Sequence, residues 1–463
     1  MNLETSFLKL KENRYKLATS SVHERKAKLL RLKAAIHLYR QEIYQALHAD
    51  FRKAEKETEL TEIFPSLHEI SFAVKNLKRW MKPKKVKTPL VLFGAHSRIL
   101  PEARGVVLIM APWNYPFYLI ISPLIAAVAA GNAVMLRPSE KTPQVSLIIK
   151  KIMDYTFSEA EVSVALGDIE VSKKILDLPF DHIFYTGSTT VGKIVMEKAA
   201  KHLATVTLEL GGKSPVIIDS DVDLEDAALK IVWGKFINAG QTCVAPDYVF
   251  VPTNLKENFL KRLKEKIEEL YGDTISGRKA NPDFARLIDE KAYARMLEML
   301  KDEKILLPDL ASHDDRLFVP PSVLVDATKD SRAMQEEIFG PILPILTYGH
   351  IEEVIDYINQ HDKPLALYIF SKNRKNIRRI IQSTTAGGTV VNNVIMHLAN
   401  PHLPFGGVGA SGMGTSHGEH GFLEFSHQRA ILYQSPLSLG RFYYPPYDSF
   451  ISKLAFKILK YLE

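Results

Sequence analysis

Cysteine is nearly absent from this chain, which contains a single one, Cys243, among 463 residues. One cysteine excludes an intramolecular disulfide and a zinc site built from cysteines, and it favours a reducing, cytoplasmic compartment. The histidines and carboxylates show no metal-ligand spacing either, and HLANPH at 397–402 is too irregular to provide it. We therefore expect no metal ion.

Long hydrophobic runs are also missing. The longest apolar stretch, residues 117–130, is interrupted by Ser122 and Pro123 and is too short to cross a bilayer. The N-terminal residues MNLETSFLKLKENRYKL are polar and charged, without the apolar core of a signal peptide. Secretion and membrane insertion are therefore not expected.

No long segment is dominated by charge of one sign. The 60 basic and 53 acidic residues are spread along the chain and give a net charge of +7. The exception is KPKKVK at 82–87, which we interpret as a solvated connection rather than a polyanion site, so no nucleic acid partner is expected. Apolar residues make up 46% of the chain, enough for a large core, and the length predicts two or three domains.

Two α/β regions follow a helical N-terminal segment at 20–80, which has the apolar spacing of amphipathic helices. In the first region, short apolar runs predict parallel strands buried on both faces at 106–110, 133–136, 182–186 and 206–208. The second region predicts alternating strands and helices at 216–219, 224–237, 248–252, 254–270 and 387–393. Two apolar pieces outside both regions, 91–100 and 425–434, predict strands that pair with each other or with another subunit.

Cys243 lies in NAGQTCVAP, directly after the predicted helix at 224–237. A free cysteine is most often a small buried hydrophobe. The Gly-Gln-Thr approach favours a second interpretation, in which a turn presents the thiol and nearby amides stabilise a thiolate. Cys243 is therefore our candidate nucleophile.

Glu209 ends an apolar strand in TLELGGKSP, where burying a carboxylate is costly unless it is paired or functional. The structural alternative is a salt bridge to a lysine such as Lys213. In a partly apolar pocket, Glu209 would bind protons more tightly and suit general-base activation of water.

Asn114 lies in APWNYPF, after the predicted strand at 106–110, where open α/β sheets bind ligands. Its amide N–H is a candidate donor to an oxyanion, and the neighbouring Trp113 is a candidate cofactor contact. An ordinary Asn turn before Pro116 is the alternative.

A cofactor turn is predicted in YTGSTTVGK, which passes from a strand to a helix at about 190–201. Gly187 and Gly192 are the candidate phosphate contacts, because glycines admit close approach and a helix N-terminus favours negative charge. The spacing differs from that of the common dinucleotide fingerprint, and Ile194 stands where a P-loop requires Ser or Thr. A hydrolytic nucleotide site is therefore disfavoured.

Two further segments offer polar groups to a dinucleotide. LRPSE places Arg137 and Glu140 after a strand end, where they suit ribose hydroxyls, and EEIFGP offers Glu337 and Phe339. Singly, each segment is an ordinary polar turn.

Taken together, these motifs make the chain resemble the aldehyde dehydrogenase superfamily, and within it the class 3 branch that handles fatty and aromatic aldehydes. APWNYP, TGSTTVGK, LELGGKSP, GQTCVAPDY, QEEIFGP and HLPFGGVGASGMG occur in the family's order, across roughly residues 5–434. Their joint occurrence is far more specific than any one motif.

The resemblance implies an α/β fold with a Rossmann-like parallel-sheet cofactor domain, a second α/β catalytic domain and a small β bridging element. The implied cofactor domain comprises 1–81 and 104–209, and the catalytic domain 210–394. The implied bridging and oligomerisation element comprises 82–103 and 395–434, with a tail at 435–463. A homodimer is typical of this branch.

The resemblance also implies a role for each matching residue. Cys243 matches the nucleophile, Glu209 the general base and Asn114 the oxyanion donor, and Glu337 and Phe339 match nicotinamide-side contacts. Gly187 and Ser188 match the turn near the pyrophosphate, and Glu140 the adenine-side ribose. The implied reaction is NAD(P)-dependent oxidation of an aldehyde to a carboxylic acid through a cysteine thioester.

One departure from the family concerns Arg137, where lysine is usual. A guanidinium is a planar fork rather than a point charge, so we hypothesise that Arg137 admits a 2'-phosphate and allows NADP beside NAD. The alternative function is an acyl-group reductase on the same scaffold. A non-catalytic binding or structural protein is a third class, against which the joint presence of Cys243, Glu209 and Asn114 argues.

The C-terminal segment FISKLAFKILKYLE has helical apolar spacing with lysines between. Such a helix can lie on an anionic membrane surface through residues 451–463, or dock on the protein body or a partner subunit. We favour docking. The apolar positions are Ile451, Leu454, Ala455, Ile458 and Leu462, and the lysines are Lys453, Lys457 and Lys460.

Overall fold

Three β-sheets organise the chain in this computed structural model, which describes residues 2–307, 317–436 and 444–461. The first sheet runs in spatial order through β14 (Gly412–Met413), β7 (Thr205–Glu209), β6 (His182–Thr186), β3 (Val106–Met110), β4 (Ala133–Arg137) and β5 (Val162–Val164). All neighbouring strands are parallel except β14, which is antiparallel to β7. The four predicted strands are confirmed, and β5 and β14 have no counterpart in the sequence pattern.

Helices cover both faces of the first sheet, because its strands are apolar on both sides. Val107 and Ile109 face one core, while Val106, Leu108 and Met110 face the other. The helices of this region are α1 (Leu3–Ala18), α2 (Val22–Leu38), α3 (Arg40–Phe51), α4 (Glu55–Thr58), α5 (Phe64–Trp80), α6 (Tyr118–Ala130), α7 (Pro143–Thr156), α8 (Ile169–Ile175) and α9 (Thr189–Ala200), with a π-helical turn at Glu59–Ile63.

The second sheet is entirely parallel, and the pattern predicted for this region is confirmed. Its spatial order is β10 (Ser322–Leu324), β11 (Ile342–Tyr348), β9 (Tyr248–Pro252), β8 (Pro215–Ile218), β12 (Ala366–Phe370) and β13 (Gly388–Val391). The accompanying helices are α10 (Leu224–Phe236), α11 (Lys256–Tyr271), α12 (Ile275–Ala280), α13 (Glu290–Leu300), α14 (Arg332–Gln335), α15 (Ile351–Asn359) and α16 (Arg374–Ser383).

The third sheet is small and antiparallel, with β2 (His96–Ala103) between β1 (Lys84–Val86) and β15 (Ser426–Tyr433). The two apolar pieces outside the α/β regions thus pair with each other within the chain. The predicted strand at 91–100 is wrong in its first half, because Leu90–Leu92 form a 3-10 helix. β14 and α17 (Gly418–Glu424) come from the same C-terminal stretch but pack on the first sheet and on α5 and α6.

The tail forms the predicted helix, α18 (Phe450–Tyr461). The side chains of Ile451, Ala455 and Ile458, and residue Leu462, lie outside the described part, so their predicted apolar face is not addressed. The interrupted run at 117–130 is a buried helix, α6, with Pro123 inside it. Among the residues that the structure describes, no helix has the length and apolar character needed to cross a membrane.

Candidate active site

Parallel topology brings several predicted site residues to one edge of the first sheet. Thr186 ends β6 opposite Glu209, which ends β7. The chain turns sharply there, since the Gly187 N–H donates to the Glu209 carbonyl oxygen at 3.0 Å. The loop at 111–117 follows the neighbouring strand β3 at the same edge.

The cysteine loop, residues 238–243, has an unusual backbone. Residues 238–240 all have positive φ, at 53°, 52° and 75°, a conformation that is strained for the first two because they carry side chains. Asn238 Nδ2 donates to the Asn114 carbonyl oxygen at 2.9 Å, and Asn114 Nδ2 donates to the Gln241 carbonyl oxygen at 3.0 Å. These buried bonds fasten the predicted oxyanion donor to the loop that presents Cys243.

A cavity of about 460 Å³ contains both Cys243 and Glu209 in its wall. Aliphatic and aromatic side chains form much of this wall, namely Leu60, Phe64, Leu119, Phe184, Trp233, Ile237, Val244, Ile395, Met396, Leu398 and Phe405. Cys243 is half-buried and lines the cavity, so it is not a sealed core residue. The predicted nucleophile and base therefore share one chamber.

The salt-bridge alternative for Glu209 fails because Lys213 pairs with Asp247 instead. Glu209 is 6% exposed and accepts one long hydrogen bond, from Thr186 Oγ1 at 3.4 Å. Burial raises the pKa of Glu209 to about 8, the Thr186 hydrogen bond opposes this, and the negative charge of Glu69 adds to it.

Burial raises the pKa of the Cys243 thiol well above its ordinary value, and the negative charges of Glu209 and Glu337 raise it further. The backbone N–H groups of Cys243 and Val244 lower this pKa. Burial therefore favours the protonated thiol, and attack by the sulfur requires loss of its proton.

Phe339 lies beside Trp113, and the Glu337 carboxylate lies beside Gly211. The Trp113 and Phe339 rings meet edge to face at 5.5 Å between centroids. A Cβ on Gly211 would stand 2.2 Å from the Glu337 carboxylate, so this glycine is necessary for the approach. Burial, aided by Asp247, raises the pKa of Glu337 to about 8.

Arg137 forms hydrogen bonds through all three of its guanidinium nitrogen atoms. Its Nε donates to Ser172 Oγ at 2.9 Å, Nη1 to the Pro138 carbonyl, and Nη2 to the Glu140 carboxylate at 2.9 Å. Nη2 also reaches the carbonyl oxygens of Gly167 and Asp168. Arg137 is 3% exposed, whereas the Glu140 side chain is 41% exposed, so Glu140 is the more accessible of the two.

The predicted phosphate turn, Gly187 and Ser188, lies between β6 and α9. A Cβ on Gly187 would stand 2.2 Å from the Tyr185 hydroxyl, and Ser188 caps α9 by accepting from the Val191 N–H at 3.4 Å. A Cβ on Gly192 would stand 2.8 Å from the Leu210 side chain, so this glycine allows α9 to pack against Leu210. Contact of these three residues with a phosphate stays a prediction.

Sequence reasoning missed several polar groups in the cavity wall, among them Glu69, Tyr118 and His417. Tyr118 Oη and His417 Nε2 share a hydrogen bond of 2.7 Å, and Glu69 is 7% exposed. The available signal was the position of Glu69 between Leu67 and Ile70, on the apolar face of an amphipathic helix. No group of three or more potential metal ligands occurs among the described residues.

Comparisons with known proteins agree with this geometry. A model of the aldehyde dehydrogenase family matches residues 9–431. The 4,4'-diaponeurosporen-aldehyde dehydrogenase of Staphylococcus aureus is 44% identical over 93% of both chains. Aldehyde dehydrogenase family 3 member A2 of Macaca fascicularis is 46% identical over 88% of this chain and 83% of its own.

One more relative and one solved structure support the same family. A probable coniferyl aldehyde dehydrogenase of Pseudomonas aeruginosa is 41% identical over 90% of this chain and 88% of its own. The solved substrate-bound state of Staphylococcus aureus AldH is 42% identical, with a TM-score of 0.93 over 99% of this chain and 100% of that one. The predicted α/β fold and class 3 resemblance are confirmed: this chain belongs to the aldehyde dehydrogenase family and is an enzyme that oxidises aldehydes with a nicotinamide cofactor.

Proposed function

We propose that the preferred substrates are apolar aldehydes, of medium or long chain or with an aromatic ring, and that the product is the free carboxylic acid. The observation that carries this is the apolar lining of the chamber around Cys243. Its volume of about 460 Å³ falls in the range of roughly 300–1,000 Å³ typical of small-ligand sites. Two relatives are named for specific aldehydes, diaponeurosporen-aldehyde and coniferyl aldehyde.

The entrance supports the same substrate class. Leu60, Phe64 and Met396 line the cavity and are also 55%, 58% and 47% exposed, so an apolar path extends from the surface towards the thiol. A hydrocarbon chain that displaces water along this path gains roughly 0.8 kcal/mol per buried methylene.

Cys243 is the proposed nucleophile. After the thiol proton passes to solvent water, the sulfur bonds to the aldehyde carbon. The electron pair of the breaking carbonyl π bond moves to the oxygen, which becomes an oxyanion. The second N–H of the Asn114 amide and the Cys243 backbone N–H are the proposed donors to that oxyanion. A bound nicotinamide cofactor would supply the acceptor for the hydride of that carbon, and loss of the hydride would leave an acyl thioester on the Cys243 sulfur.

Glu209 is the proposed base for the second half of the reaction. Its carboxylate takes a proton from water, the water oxygen bonds to the thioester carbon, and the carbon–sulfur bond breaks to release acid. Free acid as the product distinguishes this scheme from the acyl-group reductase, in which another acceptor replaces water.

The turn between β6 and α9 supports the binding of a dinucleotide. Gly187 and Ser188 lie where a strand ends and a helix begins, and a helix N-terminus favours the negative charge of a pyrophosphate. We propose Glu337, Phe339 and Trp113 for the nicotinamide side, and Glu140 for the adenine-side ribose. NAD is the proposed cofactor rather than NADP, because the Arg137 guanidinium is engaged at all three of its nitrogen atoms and the Glu140 carboxylate repels a 2'-phosphate.

We propose a separate role for each of three parts of the chain. Residues 1–81 and 104–209 bind the cofactor, 210–394 supply Cys243 and Glu337, and 82–103 with 395–434 bridge subunits of a homodimer. β15 supports this last point, because Leu432 and Tyr433 are exposed on an edge strand. Light scattering coupled to gel filtration tests the dimer.

α18 presents Phe450, Leu454 and Phe456 at 81%, 51% and 46% exposure beside Lys453 and Lys457. We propose that this surface docks on the partner subunit. The proposed location of the enzyme is a reducing, cytoplasmic compartment. The alternative, contact with a membrane, is tested by liposome co-sedimentation of the full chain and of a version ending near residue 447. Stronger pelleting of the full chain would support membrane contact.

One assay tests the proposed function as a whole. NADH formation and free acid are measured with hexanal, a long-chain aldehyde, benzaldehyde and the small polar glycolaldehyde. We expect kcat/KM to rise with apolar surface and each NADH to be matched by one acid. A preference for glycolaldehyde would contradict the proposal.

A further inference from the structure

Several polar side chains interrupt the apolar cavity wall. Glu209 and four of them, Glu69, Tyr118, Ser122 and His417, line the cavity together. We call these five residues the polar wall. They come from four separate segments, namely β7, α5, α6 and the residue before α17. Of the five, only Glu209 has a role in the proposed reaction, and Glu69 is the other carboxylate.

Glu69 is fixed in place rather than loosely packed. Its Oε2 accepts from Ser122 Oγ at 3.0 Å, and its Oε1 accepts from the Gly418 backbone N–H at 3.2 Å. It is 7% exposed on the buried face of α5. Two donors, one on each oxygen, hold a carboxylate that would otherwise be costly to bury.

We propose that Glu69 is a positioning residue for Glu209: its fixed negative charge on the same cavity wall sets the pH range in which Glu209 takes a proton from water during thioester hydrolysis. This inference rests on the proposed role of Glu209 as the base. A negative charge in the same poorly solvated chamber makes ionisation of the Glu209 carboxylate less favourable. Glu209 accepts a single long hydrogen bond, whereas Glu69 accepts one on each of its oxygens.

The other titratable groups of the polar wall, and the Cys243 thiol, do not supply a negative charge to Glu209. Burial raises the pKa of the Tyr118 phenol and of the Cys243 thiol, which keeps both neutral. Burial lowers the pKa of His417, which favours its neutral form. Thr186 is uncharged, so the Glu69 carboxylate is the neighbouring charge that acts on Glu209.

The test replaces Glu69 by its neutral isostere, Glu69→Gln. Cys243 is acylated with 4-nitrophenyl hexanoate, and decay of the acyl-enzyme is followed by intact-protein mass spectrometry from about pH 6 to about pH 10. Removing the like charge makes Glu209 more acidic, so the midpoint of the pH profile shifts down by on the order of one pH unit. Glu69→Asp, which keeps the charge, restores a midpoint close to that of the unmodified protein.

Glu419→Gln is the matched control. Glu419 lies on α17 next to Gly418, but its side chain is exposed and paired with Arg79, so its loss leaves the midpoint unchanged. An unshifted midpoint in Glu69→Gln overturns the inference, as does an equal shift in Glu419→Gln. If Glu69 were merely structural, Glu69→Gln would slow decay at every pH without moving the midpoint.

Failure of the inference and failure of the proposed function are distinguishable. If Glu209→Gln deacylates as fast as the unmodified protein, Glu209 is not the base and the proposed function is wrong. If Glu209→Gln blocks deacylation but Glu69→Gln leaves the midpoint in place, only the role of Glu69 is wrong.

Discussion

Gly240 and Gly340 lie so close that a Cβ on Gly240 would stand 2.2 Å from the Gly340 carbonyl oxygen. The cysteine loop and the loop that carries Glu337 and Phe339 thus pack backbone against backbone. This contact couples the position of the thiol to that of the nicotinamide-side residues, and no side chain can be inserted between the loops without moving one of them.

Gly240→Ala should therefore be costly. Its φ of 75° disfavours a side chain, and the new methyl group collides with rigid backbone. We expect a loss of more than about 2 kcal/mol of stability, measured as a lower Tm, together with a large fall in kcat. Gly349→Ala is the control, since its Cβ meets only the end of the Glu353 side chain at 3.3 Å and its φ is not positive. Equal Tm values for the two variants would contradict the packing argument.

Cys243→Ala should abolish aldehyde oxidation, because no other cysteine exists to form the thioester. NAD binding should persist within a few-fold, since the proposed cofactor contacts belong to other residues. Absorbance of NADH and calorimetric titration with NAD measure the two effects. Near-normal turnover would show that the covalent scheme is wrong.

Hydrolysis of the acyl-enzyme should depend on pH through Glu209. The base must be ionised, and burial raises the pKa of Glu209 to about 8, so the rate should climb as pH rises through about 8 and then level off. Glu209→Gln should produce about one NADH per site and then stall. Rapid-quench kinetics with mass detection of acylated Cys243 measures this, and steady turnover by the variant would exclude Glu209 as the base.

NAD should be strongly preferred over NADP. Glu140→Gln removes the charge that would repel a 2'-phosphate, and we expect kcat/KM with NADP to rise by roughly tenfold, or ~1.4 kcal/mol. Glu170→Gln, an exposed change at the start of α8, serves as the control. Equal use of NAD and NADP by the unmodified enzyme would instead favour the hypothesis that Arg137 admits the phosphate.

The exposed apolar entrance should matter only for large substrates. Phe64→Ser removes part of that surface, so KM for decanal should rise several-fold while KM for propanal stays nearly constant. Tyr15→Ser, at a 70% exposed position on α1, is the control. A similar change in KM for both aldehydes would argue against a hydrocarbon path through this entrance.

Much of the fold could be predicted because it follows from local patterns. The apolar runs at 106–110 and 248–252 are strands, as buried parallel strands must be apolar on both faces. β5 was missed because three residues in VSV provide too short a pattern. β14 was missed because a two-residue strand in a glycine-rich segment depends on β7 for its existence.

The sequence by itself determined the family, the α/β class and the choice of Cys243, Glu209 and Asn114 as candidates, because these depend on residue types at fixed spacing. Only the tertiary structure decided which groups face each other. It joined Cys243 to Glu209 in one chamber, turned Arg137 into the protein and brought Glu69 from a distant helix to the cavity wall. Such contacts arise where strand ends and helix faces meet in space. The order of residues along the chain shows neither which segments meet nor how strongly their buried charges interact.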